Sequence, residues 1–308
     1  MVRLILGTIR PLYRIVRTAI QLDPQEDAAP ARRVRSLPSL EQQHRAYMMQ
    51  RIEDYKDSLS REMLMRLGDD AASELHGARS DQFVLTEVLM QETVDQQIID
   101  RLKLPSFRRW RSKILPLREA QRSPTRWGMS TVDPVALVLP RLEPGDRALV
   151  IGTGAERAVY LLAAHDLEIH CLVGDTTAAT KIEGTLASES MSGQCEAFVV
   201  MLGHWIPAAV NGPYHLVVID AATVQSLTPD RQRSLMIQAQ QRTALEGLHA
   251  LVSSDADIAP ESCLRHYPDW QKIPPPPGGP TGRSNEPGLR GFLLSGPPIR
   301  PSGLSSVK

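Results

Sequence analysis

The chain has 308 residues, 42% of them apolar, with 35 basic side chains against 35 acidic ones. That is enough apolar material for one large or two smaller packed domains, which excludes a disordered chain. No run approaches about 18 consecutive apolar residues, excluding a transmembrane helix. The far-separated Cys171, Cys195 and Cys263 exclude a disulfide scaffold and the common zinc motifs, and fit a reducing, cytoplasmic compartment.

The zero net charge hides an asymmetry. Residues 1–127 carry 22 Lys/Arg against 17 Asp/Glu, and residues 128–308 carry 13 against 18, so a domain border is expected near 127. Residues 1–20 hold four arginines and no acid, with Val2, Ile5, Ile9, Leu12, Val16 and Ile20 on the opposite side. This is an amphipathic helix with Pro11 as a flaw. It reads first as a helix packed on its own domain, and otherwise as one lying on an anionic membrane or ribosomal surface or as an organelle-matrix targeting segment.

Residues 21–38, with three prolines and no apolar period, read as a linker. Ser39 to Gln42 spell a capping box. Behind it Met48, Ile52, Tyr55, Leu59, Met63 and Leu67 predict a single helix stopped by Gly68, its methionine-rich face buried between helices. Another helix is expected over 81–103. Residues 39–127 thus form a helical region.

The stretch 101–126 carries nine basic residues and one acid, Glu119. It has two readings. As a solvated helix face with a buried tryptophan, it compensates the acidic second half of the chain. As an RNA footprint, Arg108, Arg109, Arg111 and Lys113 would neutralise phosphates while Trp110 stacks on a base.

From 143 onward strands and helices alternate. Strands are expected at Ala148–Ile151, Glu168–Val173, Ala197–Leu202, Leu216–Ile219 and Leu248–Ser253. Helices are expected at Ala155–Ala164, at 176–188, and from a Thr228 cap to about Leu245. Such alternation predicts an open, mostly parallel α/β sheet over 128–300, helices on both faces. The proline-rich run 273–288 is a loop before a last strand, Gly291–Ser295, and 301–308 is a tail.

Ligands of such sheets sit at the carboxyl ends of the strands, by the switch point. There the chain has Gly152-Thr153-Gly154 and, 21 residues after Gly154, Asp175 at the end of the second strand. Both suit an adenosine-containing ligand. The dinucleotide fingerprint fails, because its third glycine is Arg157. Asp220 leads into Ala-Ala-Thr, without the Asn-Pro-Pro-aromatic segment used on exocyclic amines. The dispersed histidines read one by one as satisfied structural groups, and Asp255 and Asp257 as a solvated pair.

At these residues the chain resembles the class I S-adenosylmethionine-dependent methyltransferases, over about 143–295. The parts are EPGD leading into ALVIGTG, CLVGD, VVMLGHWIPA, PYHLVVIDA, TALEGLHALVSS and GFLLSG. The resemblance implies a doubly wound, Rossmann-like seven-strand sheet whose last strand is antiparallel and pairs with a strand near Trp270–Ile273. It implies that Gly152, Thr153 and Gly154 line the methionine part of S-adenosyl-L-methionine, that Asp175 holds the ribose, that Gly203 and His204 flank the adenine, and that Asp220 faces the transfer site. The chain departs from the pattern in three places. Val150 stands where the first strand has an acid, Glu156 replaces the third motif glycine, and His204 replaces an acid. Glu156 could point away, supply the missing carboxylate or obstruct the site. Two functions follow: methyl transfer to a small-molecule or protein acceptor, selected or covered by the helical region, or a degenerate methyltransferase-like module serving binding or assembly. No metal is implied.

Overall fold

The computed structural model describes residues 38–78, 87–191, 194–255, 257–274 and 289–296. The expected basic helix over 1–20, most of the 21–38 linker, most of the proline-rich loop and the 301–308 tail lie outside the described residues.

The capping box forms as written. Ser39 Oγ accepts from the Gln42 N–H at 3.2 Å, and Gln42 Oε1 accepts from the Ser39 N–H at 2.7 Å, opening α1 (Leu40–Ser58). The single helix expected to run to Gly68 is instead two. Leu59 turns extended, with ψ at 145°, and Ser60 Oγ accepts from the Met63 N–H to start α2 (Arg61–Ala78). Gly68 lies inside α2, where glycine costs about 1 kcal/mol relative to alanine without ending the helix. The break rotates the methionine face, so Ile52 and Leu67 join Ile98 of α3 (Glu87–Leu102) in a small core. Met63, expected inside, is 53% exposed.

Helix α4 (Phe107–Gln121) lays Trp110 against His44 and Tyr47 of α1, with ring centroids 5.3 and 6.3 Å away. Its end is stapled to the sheet domain. Buried Gln121 donates to the Glu189 backbone and carboxylate, both at 2.9 Å, and Arg126 reaches that carboxylate at 2.8 Å. Arg122 pairs with Asp166 at 3.0 Å, and the Trp127 indole donates to the Gln121 carbonyl. Burial raises the Glu189 carboxyl pKa, but the bonds from Gln121 and Arg126 outweigh it and hold the pKa below the ordinary range. The staple therefore contributes at neutral pH and fades as acid protonates Glu189. Arg126→Ala should lower stability by about 0.5–1 kcal/mol, the pair being partly solvent-screened, in urea unfolding at pH 7, and by less at pH 3.5.

The second half folds as the alternation predicts. Seven strands, β1 (Arg147–Ile151), β2 (Glu168–Val173), β3 (Cys195–Val199), β4 (Tyr214–Asp220), β5 (Thr243–Ser253), β6 (Gln271–Ile273) and β7 (Arg290–Ser295), form one sheet in the order 3-2-1-4-5-7-6. Strands β1 to β5 are parallel, and β7 runs antiparallel to both β5 and β6. This is the seven-strand arrangement, last strand reversed, that the resemblance implies.

Alternate residues face opposite layers. Ala148 and Val150 pack under α5 (Pro134–Val138), α6 (Glu156–Ala164) and α7 (Thr176–Ser188). Leu149 and Ile151 pack under α8 (Ala221–Gln225) and α9 (Pro229–Gln241). All four are fully buried, so truncating Leu149 or Ile151 to alanine removes about 2–5 kcal/mol.

Three boundaries differ from expectation. Strand β3 begins two residues early and ends at Val199, because a turn follows in which the His204 N–H donates to the Met201 carbonyl and Gly203 sits at φ +80°. Helix α9 stops at Gln241, short of Leu245, because Thr243 pairs with Tyr214 and lengthens β5 backward past a bulge at Gly247. Thr228 opens α9 without a side-chain cap, leaving Pro229 to fix its first turn.

His249 on β5 is completely buried, its ring between Thr243 Oγ1 and the Tyr267 hydroxyl, each 2.7 Å away. Thr243 donates its own proton to the Ala239 carbonyl and Tyr267 donates toward Met236 Sδ. Burial disfavours the charged imidazole and pushes its pKa down to about 3. Above pH 6.5 neither state binds the proton, so there is no effect. Below it the unfolded chain protonates first, and stability falls by about 2 kcal/mol by pH 5. Melting temperature against pH, for the native chain and for His249→Gln, checks this. The variant should lose that part of the slope.

Candidate site at the carboxyl edge of the sheet

The strand order reverses between β1 and β4, so the switch point lies where their carboxyl ends part. The sequence places Gly152-Thr153-Gly154 on one side and Asp220 on the other. Backbone pairing continues the ladder into the turn, with the Gly152 N–H donating to the Leu172 carbonyl at 2.9 Å. Gly152 then turns at φ +99°, a conformation natural to glycine.

Asp220 closes the switch point. It is 1% exposed and is the N-cap of α8. Its carboxylate accepts from the Gly154 N–H at 3.2 Å, from the Ala222 and Thr223 N–H groups at 3.3 and 3.1 Å, and from the Thr223 hydroxyl at 2.6 Å. The two glycines are required by this packing. A Cβ on Gly152 would lie 2.4 Å from Thr223 Oγ1, and one on Gly154 would lie 2.6 Å from an Asp220 carboxylate oxygen. A carboxylate holding four donors is a strut across the edge, three of them on Oδ2 and one on Oδ1. Sequence reasoning missed Thr223. The signal was present, since Asp-Ala-Ala-Thr before a helix is an N-cap pattern.

Asp175 also opens a helix, with Oδ1 accepting from the Ala178 N–H of α7 at 2.7 Å. Unlike Asp220 it is exposed, and its second carboxylate oxygen has no partner among the described residues. Gly174 beside it has open space where a side chain would stand, and Thr153 is exposed on the neighbouring strand end. Asp175 therefore keeps an acceptor free at the edge.

Glu156, the residue open to three readings, pairs with Lys181 of α7 at 2.7 Å. Val150 is fully buried beneath α6, where a carboxylate would lack solvent. Gly203 rests on α9, where a Cβ would meet Arg231 Cβ at 2.6 Å. Gln238 clips the loop from both sides of Trp205, accepting from the Ile206 N–H at 2.9 Å and donating to the His204 carbonyl at 3.5 Å. His204 is exposed, as are Met201 (69%) and Trp205 (64%), so an apolar rim follows β3.

The pre-sheet segment reaches this edge too. Arg157 of α6 donates to the Gly128 carbonyl at 2.9 Å. Buried Asp133 accepts from Ser130 N–H at 3.0 Å and from Leu289 N–H, just before β7, at 2.8 Å. The direct contacts thus join Gly154, Asp220 and Thr223, with Asp175 on the neighbouring strand end. Gly203 and His204 are tied to α9. Asp255 and Asp257 are exposed, as the sequence suggests.

No family model matches the chain, and no curated protein matches it. Solved structures similar to it include a TehB-like SAM-dependent methyltransferase from Corynebacterium glutamicum, with 10% identity, 53% of this chain and 86% of that one covered, and a TM-score of 0.39. Others are an rRNA methylase from Streptococcus thermophilus (12% identity, 53% and 93% covered, TM-score 0.41) and the glycopeptide N-methyltransferase MtfA complexed with sinefungin (12%, 55% and 96%, TM-score 0.42). The fold assignment rests on the strand order and the reversed β7: the sheet domain has the Rossmann-like methyltransferase fold.

Proposed function

We propose that the sheet domain binds S-adenosyl-L-methionine at the carboxyl edge of β1 to β3 and passes its methyl group to an acceptor. The observation that carries this reading is Asp175, an exposed carboxylate with one oxygen uncommitted, on the strand next to a glycine turn at the switch point. A ribose diol needs such an acceptor. The open flank at Gly174, exposed Thr153, and apolar Met201 and Trp205 supply backbone approach and a surface that a purine can cover. When bound, the cofactor supplies an already activated sulfonium methyl, so the protein's task is to bind and align.

In this reading Asp220 is a positioning residue. It holds the Gly152–Gly154 turn through the Gly154 N–H and leaves any proton transfer to other groups. Glu156, tied to Lys181, stands aside from the edge. The segment Gly128–Asp133, pinned by Arg157 and Leu289, borders the acceptor's approach, which is how the helical region would select it.

A second reading, a binding or assembly module without catalysis, is favoured by Val150 and by the closed hydrogen-bond set of Asp220. Calorimetric titration with S-adenosylmethionine and S-adenosylhomocysteine separates the two. Binding weakened by Asp175→Ala by about 1–3 kcal/mol, roughly tenfold or more, supports the first reading. Absence of heat at millimolar ligand supports the second.

A further inference from the structure

We propose that the outward face of α4 is a docking surface for the phosphodiester backbone of a nucleic acid, gripped by Arg108, Arg109, Arg111 and Lys113 without stacking on bases. Trp110, the aromatic that the sequence offers for stacking on a base, is 9% exposed and packed among His44, Tyr47 and Phe107. Stacking of a base on Trp110 is therefore ruled out, and the sequence reading that used it is corrected.

Internal compensation accounts for only part of the basic stretch. Arg101, Arg122 and Arg126, at or beyond the ends of the helix, pair with Asp70, Asp166 and Glu189. Arg108, Arg109, Arg111 and Lys113 are exposed and have no acidic partner among the described residues. The run 102–118 contains no acid at all.

This arrangement is unfavourable in isolation. Arg108 and Arg111 are spaced i,i+3, and Arg109 and Lys113 i,i+4. Like charges at such spacing destabilise a helix. Two of the arginines also occupy a first turn that holds no acid, at the end where the helix dipole is already positive. A polyanion would relieve both penalties.

The helix geometry favours nucleic acid over a lipid surface. At 100° per residue, Phe107, Trp110, Ile114 and Leu117 point inward, and Leu115 is the large apolar side chain left exposed on the helix (41%), so there is little to insert into a bilayer. The cations form two short rows flanking the outward face, with neighbours roughly 5–6 Å apart at Cβ, a step suited to successive phosphates. Three of the four are arginines, whose forks pair with phosphate in bidentate fashion.

The test uses the full chain and fluorescein-labelled 20-nucleotide single-stranded RNA and DNA of one sequence, read by fluorescence anisotropy. Both probes are expected to bind, and alike, since the contacts are to the backbone. Four contacts at a slope near −0.7 each predict an affinity about 50-fold lower at 200 mM salt than at 50 mM. Replacing all four residues with glutamine should abolish binding and leave the melting temperature unchanged or slightly raised. The proposal is overturned if the native chain binds neither probe at 50 mM salt. It is equally overturned if the glutamine variant binds as well as the native chain, or if polyglutamate or anionic phosphatidylserine vesicles are bound as tightly as the nucleic acids.

Discussion

Asp220→Ala should lower the stability of the chain by about 3–5 kcal/mol, the largest single-residue effect expected outside the apolar core. Removing the carboxylate strands the Gly154, Ala222 and Thr223 N–H groups and the Thr223 hydroxyl at a 1% exposed position. Each donor left unpaired in a buried place costs about 1–3 kcal/mol, reduced where the turn relaxes or water enters. Asp220→Asn should cost less, because its amide oxygen still accepts while its NH2 group faces donors. Urea unfolding of the two variants checks the order. Native stability in both variants would contradict the structural role of Asp220.

The second large effect concerns the turn that this strut holds. Gly152→Ala should destabilise by about 3 kcal/mol or more. Its Cβ would fall 2.4 Å from Thr223 Oγ1 and 2.8 Å from Asp220 Cβ, on a backbone at φ +99°. Steric overlap and a backbone angle unfavourable to any L side chain add together here. The double variant Gly152→Ala with Thr223→Ser still carries the contact through the hydroxyl oxygen, whereas Thr223→Ala in that background should restore part of the loss. Thermal melts of the single and double variants decide it. Equal stability of Gly152→Ala and the native chain would mean that the turn opens freely, and the account of the switch point would be wrong.

The fold was legible in the sequence because its signals were periodic and local. Glu168–Val173 and the helix at 176–188 stand where the alternation puts them, since buried parallel strands are short unbroken apolar runs bounded by turn residues. The helical region was less legible. One apolar period ran through Leu59, and only the Ser60 hydroxyl bond to Met63 reveals a second helix start. β5 was misjudged at its amino end because Thr243 belongs by pairing to Tyr214, a contact far away in sequence.

At the site, the turn and the two acids singled out in the sequence lie at one edge of the sheet, but their spacing does not tell how their hydrogen bonds divide. Asp175 and Asp220 both follow strands and both cap helices. They differ only in burial, and burial depends on Thr223 and Gly154 closing over one of them while Gly174 leaves the other open. For Glu156, the choice among three orientations turned on Lys181, 25 residues away and one helix over. Of the two readings of Trp110, the buried tryptophan holds and the stacking surface does not, because His44 and Tyr47 of α1 present rings to it. None of these partners can be chosen from one-dimensional spacing.

The central claim is that the carboxyl edge of β1 to β3 holds an S-adenosyl group through Asp175. Its most direct test is a crystal structure of the full chain grown with S-adenosylhomocysteine. The account predicts the ligand along the Gly152–Gly154 turn, with its ribose hydroxyls on the free carboxylate oxygen of Asp175 and Asp220 still bonded to Gly154 and Thr223. Crystals grown at millimolar ligand that show it at another place, or with Asp175 facing solvent and unliganded, would contradict the account.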